Sequence, residues 1–231
     1  MARAPISVII PTLNSGEALA KCLATLSEGL GEGLIRELII TDGGSTDVTQ
    51  EVAREAGAEF VSGPASRGGQ LRRGCEAASG EWLLVLHADS QLDRGWCEAV
   101  LDHLRDAPDD AGYFRLRFRA KGFGAKAVAG WANLRSRVFG LPYGDQGLLI
   151  SRELYDLVGG YPDIPLMEDV SLVRAAKGRL SPLNAIIRTS AERYEREGWF
   201  LRGGRNLWML LRYFFGADPL KLSRGYERTG S

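Results

Sequence analysis

Ile6-Ser7-Val8-Ile9-Ile10 is a β-branched run that stops in the polar turn Pro11-Thr12-Leu13-Asn14. Glu37-Leu38-Ile39-Ile40-Thr41 repeats the pattern and stops in Asp42-Gly43-Gly44-Ser45-Thr46-Asp47. Both runs read as buried strands, and Pro11 ends the first ladder because it has no N–H to give. A helix follows each turn. Asn14 with Glu17 three positions on matches a capping box, and Leu19, Cys22, Leu23, Leu26 and Leu30 recur at helical spacing. Ser45 or Thr46 can cap the second helix, whose Val48, Val52 and Ala56 are expected to face the core. Two strand–turn–helix units place both turns at one edge of a parallel sheet, where such folds bind ligands. A nucleotide site is the first expectation.

Working outward, Glu59-Phe60-Val61-Ser62 is a third, weaker strand, and Arg67-Gly68-Gly69 leads into a helix carrying Leu71, Cys75 and Ala78. Trp82-Leu83-Leu84-Val85-Leu86 is the strongest strand signal and ends abruptly at His87-Ala88-Asp89. Strands alternating with helices imply right-handed crossovers and an α/β fold. Phe114, Leu116 and Phe118 alternate with Arg115, Arg117 and Arg119, which predicts a strand with one apolar and one wet or anion-facing side, expected to run antiparallel. Residues 146–150 and 185–189 read as later strands, separated by the turn Gly159-Gly160-Tyr161-Pro162 and a helix beginning near Glu168. With no repeat or linker, the 231 residues are expected to form one domain.

The 29 basic and 29 acidic residues cancel, so no global field argues for nucleic acid, and anion binding has to be local. Cys22, Cys75 and Cys97 lack metal-binding spacing and lie in apolar helical patterns, so they are expected to be reduced core residues. No signal peptide is read at the N-terminus, and a cytoplasmic location is expected. His103, beside Asp102 and Arg105, reads as a solvated surface residue.

Ser7 to Asn14, Asp42 to Asp47, His87-Ala88-Asp89 and Glu168-Asp169, taken in order, resemble the family 2 glycosyltransferases of GT-A fold. Leu86 to Ser90 and Gly144-Asp145-Gln146-Gly147 resemble more narrowly a bacterial subgroup with a His-Ala-Asp variant of the Asp-x-Asp motif. The resemblance implies a single nucleotide-diphospho-sugar transferase domain with a mostly parallel sheet flanked by helices. Residues 1–110 would bind the nucleotide sugar, residues 111–200 would carry the acceptor and catalytic half, and residues 201–231 would form a helical tail.

The resemblance also implies roles. Pro11, Thr12, Asn14 and Asp42 would line the base and ribose pocket; a plain turn former is the other reading of Asp42. Asp47 reads as a cap. Asp89 would hold Mn²⁺ or Mg²⁺ on the diphosphate, beside Ala88. His87 stands where the motif usually has Asp, and three readings stay open: a metal ligand, a donor to ribose or phosphate, or a hydrogen-bonded strand-end histidine. Arg67 and Gln70, in a Gly-rich segment, would approach phosphate or base, with a flexible loop as the alternative. Asp169 would be the base that deprotonates the acceptor, with Glu168 as second choice. Tyr161 is a candidate for stacking on a sugar. Arg193, Arg196 and Trp199 stand where related enzymes carry diphosphate or acceptor contacts, although the usual Gln-x-x-Arg-Trp pattern is absent.

A UDP-sugar is the default donor, and the acceptor is not readable. A nucleotidyltransferase would open with a Gly-rich, Lys-containing loop that this chain lacks. A catalytically silent nucleotide-sugar-binding module remains the alternative from another class. Finally, the apolar helix at 206–215, flanked by Arg202, Arg205 and Arg212, is too short to span a bilayer. Core packing, a homodimer interface and peripheral contact with the inner face of a membrane all fit it.

Overall fold

The computed structural model describes residues 4–227. Its strands are β1 (Ile6–Thr12), β2 (Ile35–Asp42), β3 (Glu59–Ser62), β4 (Trp82–Val85), β5 (Gln91–Leu92), β6 (Ala111–Phe118), β7 (Leu148–Ser151) and β8 (Leu180–Thr189). Its helices are α1 (Gly16–Thr25), α2 (Ser27–Gly31), α3 (Thr49–Glu55), α4 (Arg67–Ala77), α5 (Trp96–Asp106), α6 (Phe123–Phe139), α7 (Arg152–Leu157), α8 (Glu168–Ala175), α9 (Glu192–Glu197), α10 (Trp199–Phe214) and α11 (Pro219–Glu227). A 3₁₀ turn covers Gly144–Gln146.

The strands form one sheet in the order β3-β2-β1-β4-β7-β6-β8-β5. Strands β3, β2, β1 and β4 are parallel, with Val8 beside Leu38 on one side and Leu84 on the other. The β1 run is apolar throughout because both faces are covered. Ile6, Val8 and Ile10 join the core under α1 and α5, whereas Ile9 joins the opposite core with Leu71 and Cys75 of α4. All three cysteines are free and buried, as expected.

The expected direction of β6 is corrected. β6 is parallel to β8 and antiparallel to β7, and β7 is antiparallel to β4, so β6 runs with the parallel strands. The reversed strands are β7, which fills the gap left between β4 and β6, and the short edge strand β5. The alternation within β6 holds: Phe114, Leu116 and Phe118 are buried, and Arg115 and Arg117 are exposed.

Several local expectations also change. Asn14 does not cap α1: its φ of 48° is left-handed, and its Oδ1 accepts the Thr46 N–H at 2.8 Å. Asp47 does the capping instead, accepting the Gly16 N–H at 3.0 Å across the loop and the Thr49 N–H at 3.0 Å in its own turn. One carboxylate thereby starts both helices, and neither Ser45 nor Thr46 is needed. Helix α3 consequently begins at Thr49, so Thr49 and Ala53 face inward while Val48 and Ala56 are exposed. Leu30 is exposed because α1 ends at Thr25 and α2 restarts out of phase. His103 is buried, not solvated: its Nε2 lies 2.9 Å from the Asp110 carbonyl, and its ring stands edge-on to Trp82.

Candidate active site

The turns after β1 and β2 meet at the C-terminal edge of the sheet. The Gly43 N–H donates to the Thr12 carbonyl at 2.9 Å, and the Asn14 N–H donates to Ser45 Oγ at 2.8 Å. Asp42 organises this corner. Its Oδ2 accepts the N–H groups of Gly44 and Ser45, and its Oδ1 accepts the hydroxyls of Thr12 and Ser45. A carboxylate offers about four acceptor positions, so Asp42 has none to spare in this arrangement. Burial pushes its carboxyl pKa up, but these hydrogen bonds outweigh the burial and hold it below the ordinary value. The turn-forming reading of Asp42 therefore describes the geometry.

Gln70 is also structural here. Only 5% exposed, it donates through Nε2 to the carbonyls of Thr12 and Thr41, bracing the ends of β1 and β2. The Gly-rich segment is the first turn of α4, not a free loop. Its glycines serve close packing: a Cβ on Gly68 would stand 2.0 Å from the Pro162 carbonyl oxygen, and the Gly68 N–H donates to the Ile164 carbonyl. The Gly68 amide thus helps fix the loop that leads to Glu168-Asp169. Pro11 is half-buried beside Thr12, and Asn14 and Arg67 are exposed.

His87-Ala88-Asp89 follows β4 at the same edge. The Asp89 carbonyl accepts from Arg119 at 3.1 Å, and its Oδ2 accepts the Thr189 hydroxyl at 3.0 Å and the Ser190 N–H at 3.3 Å. Ala88 is buried between its neighbours. His87 Nε2 stands 2.5 Å from where a Cβ on Gly144 would lie. Burial, and next the positive charge of Arg67, push the His87 pKa down to about 4 against the pull of Asp89 and Asp169. At neutral pH its imidazole is uncharged.

The acidic pair follows the loop that packs on Gly68 of α4. Met167 has φ 70°, a left-handed conformation costly for a residue with a side chain, and Leu166, Met167 and Val170 pack against Met209 and Leu210 of α10. Asp169 accepts the Gly144 N–H at 2.7 Å through Oδ2 and the Val170 N–H at 2.7 Å through Oδ1. These bonds fill two of its roughly four acceptor positions. Glu168 is 2% exposed, with Oε2 buried and unpartnered. Burial first, then Asp169, push its pKa up to about 8, so it holds a proton near neutral pH. Tyr161 does not face a sugar site. It is 3% exposed, with its ring 5.9 Å from that of Tyr155. Trp199 likewise packs inward, against Phe118 and Tyr194.

One site residue escaped the sequence reading. Asp145 sits in the 3₁₀ turn with Oδ1 buried and unpartnered, and burial pushes its pKa up to about 6, aided by Asp169 and Asp89 and opposed by Arg135. The turn is held from beneath by Gln146, wholly buried, which accepts from Ser136 and donates to the Phe114 carbonyl at 3.1 Å. Arg135, its guanidinium 3.3 Å from the centre of the Tyr143 ring, donates to the Leu141 carbonyl. The signal available was Gly144-Asp145-Gln146-Gly147 itself, quoted as a motif but given no role.

Among the described residues, no three His, Cys, Asp or Glu side chains form a ready-made metal cage. The donors are oxygens in an open arrangement: the Asp89 carboxylate and the buried, unpartnered Oδ1 of Asp145. Such a set fits a hard divalent cation that completes its shell with substrate oxygens and water.

The fold resembles S. aureus TarS in complex with UDP-GlcNAc, with a TM-score of 0.64 and 16% identity over 80% of this chain and 58% of that one. It also resembles glucosyl-3-phosphoglycerate synthase from Mycobacterium tuberculosis in complex with Mn²⁺, UDP and glucosyl-3-phosphoglycerate, with a TM-score of 0.57 and 22% identity over 82% and 71% of the two chains. In sequence, the PGL/p-HBAD biosynthesis glycosyltransferase of Mycobacterium bovis is 35% identical over 99 residues, which is 40% of this chain and 38% of that protein's length. The glucosyl-3-phosphoglycerate synthase of Mycolicibacterium smegmatis is 36% identical over 93 residues, 36% of this chain and 30% of that protein's length. The sequence pattern of glycosyl transferase family 2 matches residues 7–148, well over half of the chain and every segment of the carboxylate cluster except Glu168-Asp169. The chain belongs to glycosyl transferase family 2.

Proposed function

We propose that this protein transfers a sugar from a nucleoside-diphosphate donor, by default a UDP-sugar, to an acceptor hydroxyl with inversion at the anomeric carbon. The observation that carries this reading is the convergence of three chain-distant acidic segments, Asp89, Asp145 and Glu168-Asp169, beside the paired turns after β1 and β2. Family membership and the Mn²⁺ and UDP present in a neighbour of the same fold support it.

The turns of β1 and β2 receive the nucleoside, with Pro11, Thr12 and Asn14 as contacts and Asp42 and Gln70 holding the backbone that makes them. Asp89 and Asp145 would hold Mn²⁺ or Mg²⁺, which when bound would supply charge neutralisation for the departing diphosphate. Ala88 brings the chain close to the ribose, while neutral His87 accepts or donates a single hydrogen bond there. Arg67 adds positive charge on the donor side. Asp169 removes the proton from the attacking hydroxyl while its bond to Gly144 fixes its direction. Glu168, protonated near neutral pH, orients the acceptor as a donor. In this reading residues 1–110 carry most of donor binding, and residues 111–200 carry the base and one carboxylate, Asp145, on the cation.

Asp169→Asn tests the assignment of the base. Donor affinity should stay nearly unchanged while turnover falls by roughly a hundred-fold or more, because donor binding needs no base and transfer does. Full activity in this variant would remove Asp169 from the mechanism.

A further inference from the structure

Helices α6 and α10 leave a joint apolar surface uncovered. Helix α10 turns Met209 and Leu210 inward and leaves Phe200, Leu207, Trp208 and Leu211 exposed. At 100° per residue these four fall in one arc, and that arc contains no charged residue. Helix α6 does the same: it buries Ala125, Ala129, Ala132, Arg135 and Ser136, so no large apolar side chain faces inward, while Phe123, Trp131, Leu134 and Val138 are exposed. The two arcs adjoin. The Phe123 and Phe200 ring centres are 6.4 Å apart, and the helices pack closely where Gly124 lies against Trp199.

The charge on these helices is one-sided. Neither contains Asp or Glu, in a chain whose 29 basic and 29 acidic residues otherwise balance. Lys126 and Arg137 are exposed along one border of the α6 arc, and Arg212 is exposed along a border of the α10 arc. An apolar face whose own two helices carry cations and no acids complements an anionic lipid surface. A second copy docked two-fold on the same face would bring a second set of cations and no acids from these helices to neutralise them. No helix among the described residues is long and apolar enough to cross a membrane, so the face would lie in the interface plane.

We propose that the α6–α10 face seats this protein on an anionic bilayer, with the apolar side chains at the headgroup–acyl boundary and Lys126, Arg137 and Arg212 on the headgroups. The face is one packing layer from the carboxylate cluster. Met209 and Leu210 press on Met167 and Val170, which flank the acidic pair, and Trp199 packs on Phe118, whose neighbour Arg119 bonds the Asp89 carbonyl. Membrane seating stands on this surface alone and does not depend on sugar transfer.

Vesicle co-sedimentation of the full chain tests it, comparing phosphatidylcholine alone with a phosphatidylcholine–phosphatidylglycerol mixture at low and high salt. Binding should require phosphatidylglycerol and weaken with salt. Trp208→Ser with Leu211→Ser should lower the partition coefficient by ten-fold or more. Lys126→Glu with Arg137→Glu changes only exposed side chains, so it leaves the core intact; it should lower binding by at least about five-fold for each residue. No binding to anionic vesicles, or equal binding by both variants and the wild type, would overturn the proposal. So would a concentration-dependent dimer dissociated by Trp208→Ser, which would assign the face to a second copy.

Discussion

Asp169 Oδ2 accepts the Gly144 N–H at 2.7 Å, which ties the acidic pair at the start of α8 to the turn that carries Asp145. Gly144 has no room for a side chain on its other neighbour, because a Cβ there would stand 2.5 Å from His87 Nε2. Three segments far apart in the chain therefore depend on one glycine.

Gly144→Ala should destabilise the protein by about 1–3 kcal/mol, the usual cost of an inserted methyl group in a packed site. It should also weaken donor binding, because either His87 or the turn must move. Adding His87→Ala should restore most of the lost stability in denaturant melts. If Gly144→Ala alone melts with the wild type, the crowding at His87 does not exist.

Asp42→Ala strips the acceptor from four donors: the hydroxyls of Thr12 and Ser45 and the N–H groups of Gly44 and Ser45. The variant should lose on the order of 2–4 kcal/mol of stability, since buried donors left unpaired cost about 1–3 kcal/mol each and some will find water. Nucleoside-diphosphate affinity should fall at least ten-fold with it, through collapse of the loop. Weakened binding at unchanged stability would instead make Asp42 a direct nucleotide ligand.

Glu168 gives a pH signature. Its pKa is about 8 in the folded chain against an ordinary 4.5, so between those values the folded state binds more protons than the unfolded one. Stability supplied by the protonated carboxyl is full below about 4.5 and is lost as pH rises through about 8. Glu168→Gln, which cannot ionise, should abolish that loss, so the variant should gain on the wild type in urea midpoints measured upward from pH 5. Parallel pH profiles for the two proteins would mean that Glu168 ionises normally.

The sequence made much of this site legible and left specific parts dark. The ends of β1, β2 and β4 were readable because β-branched runs stopping in polar turns report strand ends locally, and Glu168-Asp169 was readable as an acidic pair after a turn. Asp145 was not, because the turn that carries it is set by contacts outside the motif: Arg135 and Ser136 of α6 bond the Gln146 side chain beside it. Helix α6 itself gave little signal, since its inward residues are alanines with Arg135 and Ser136, and its large apolar residues face out. Gln70 read as a ligand because nothing in a sequence shows that its amide is spent on two carbonyls at other strand ends. His103 read as surface from its charged neighbours, but the register of α5 turns it toward Trp82.

The central claim, that a nucleoside diphosphate binds at this edge with help from a cation held by Asp89, is tested most directly by calorimetric titration of UDP with and without Mn²⁺ into the wild type and Asp89→Asn. Mn²⁺ should tighten UDP binding to the wild type by ten-fold or more and leave Asp89→Asn nearly unaffected, with both proteins melting alike in the absence of ligand. Equal Mn²⁺ enhancement in the two proteins, or no UDP binding by the wild type under either condition, would contradict the account.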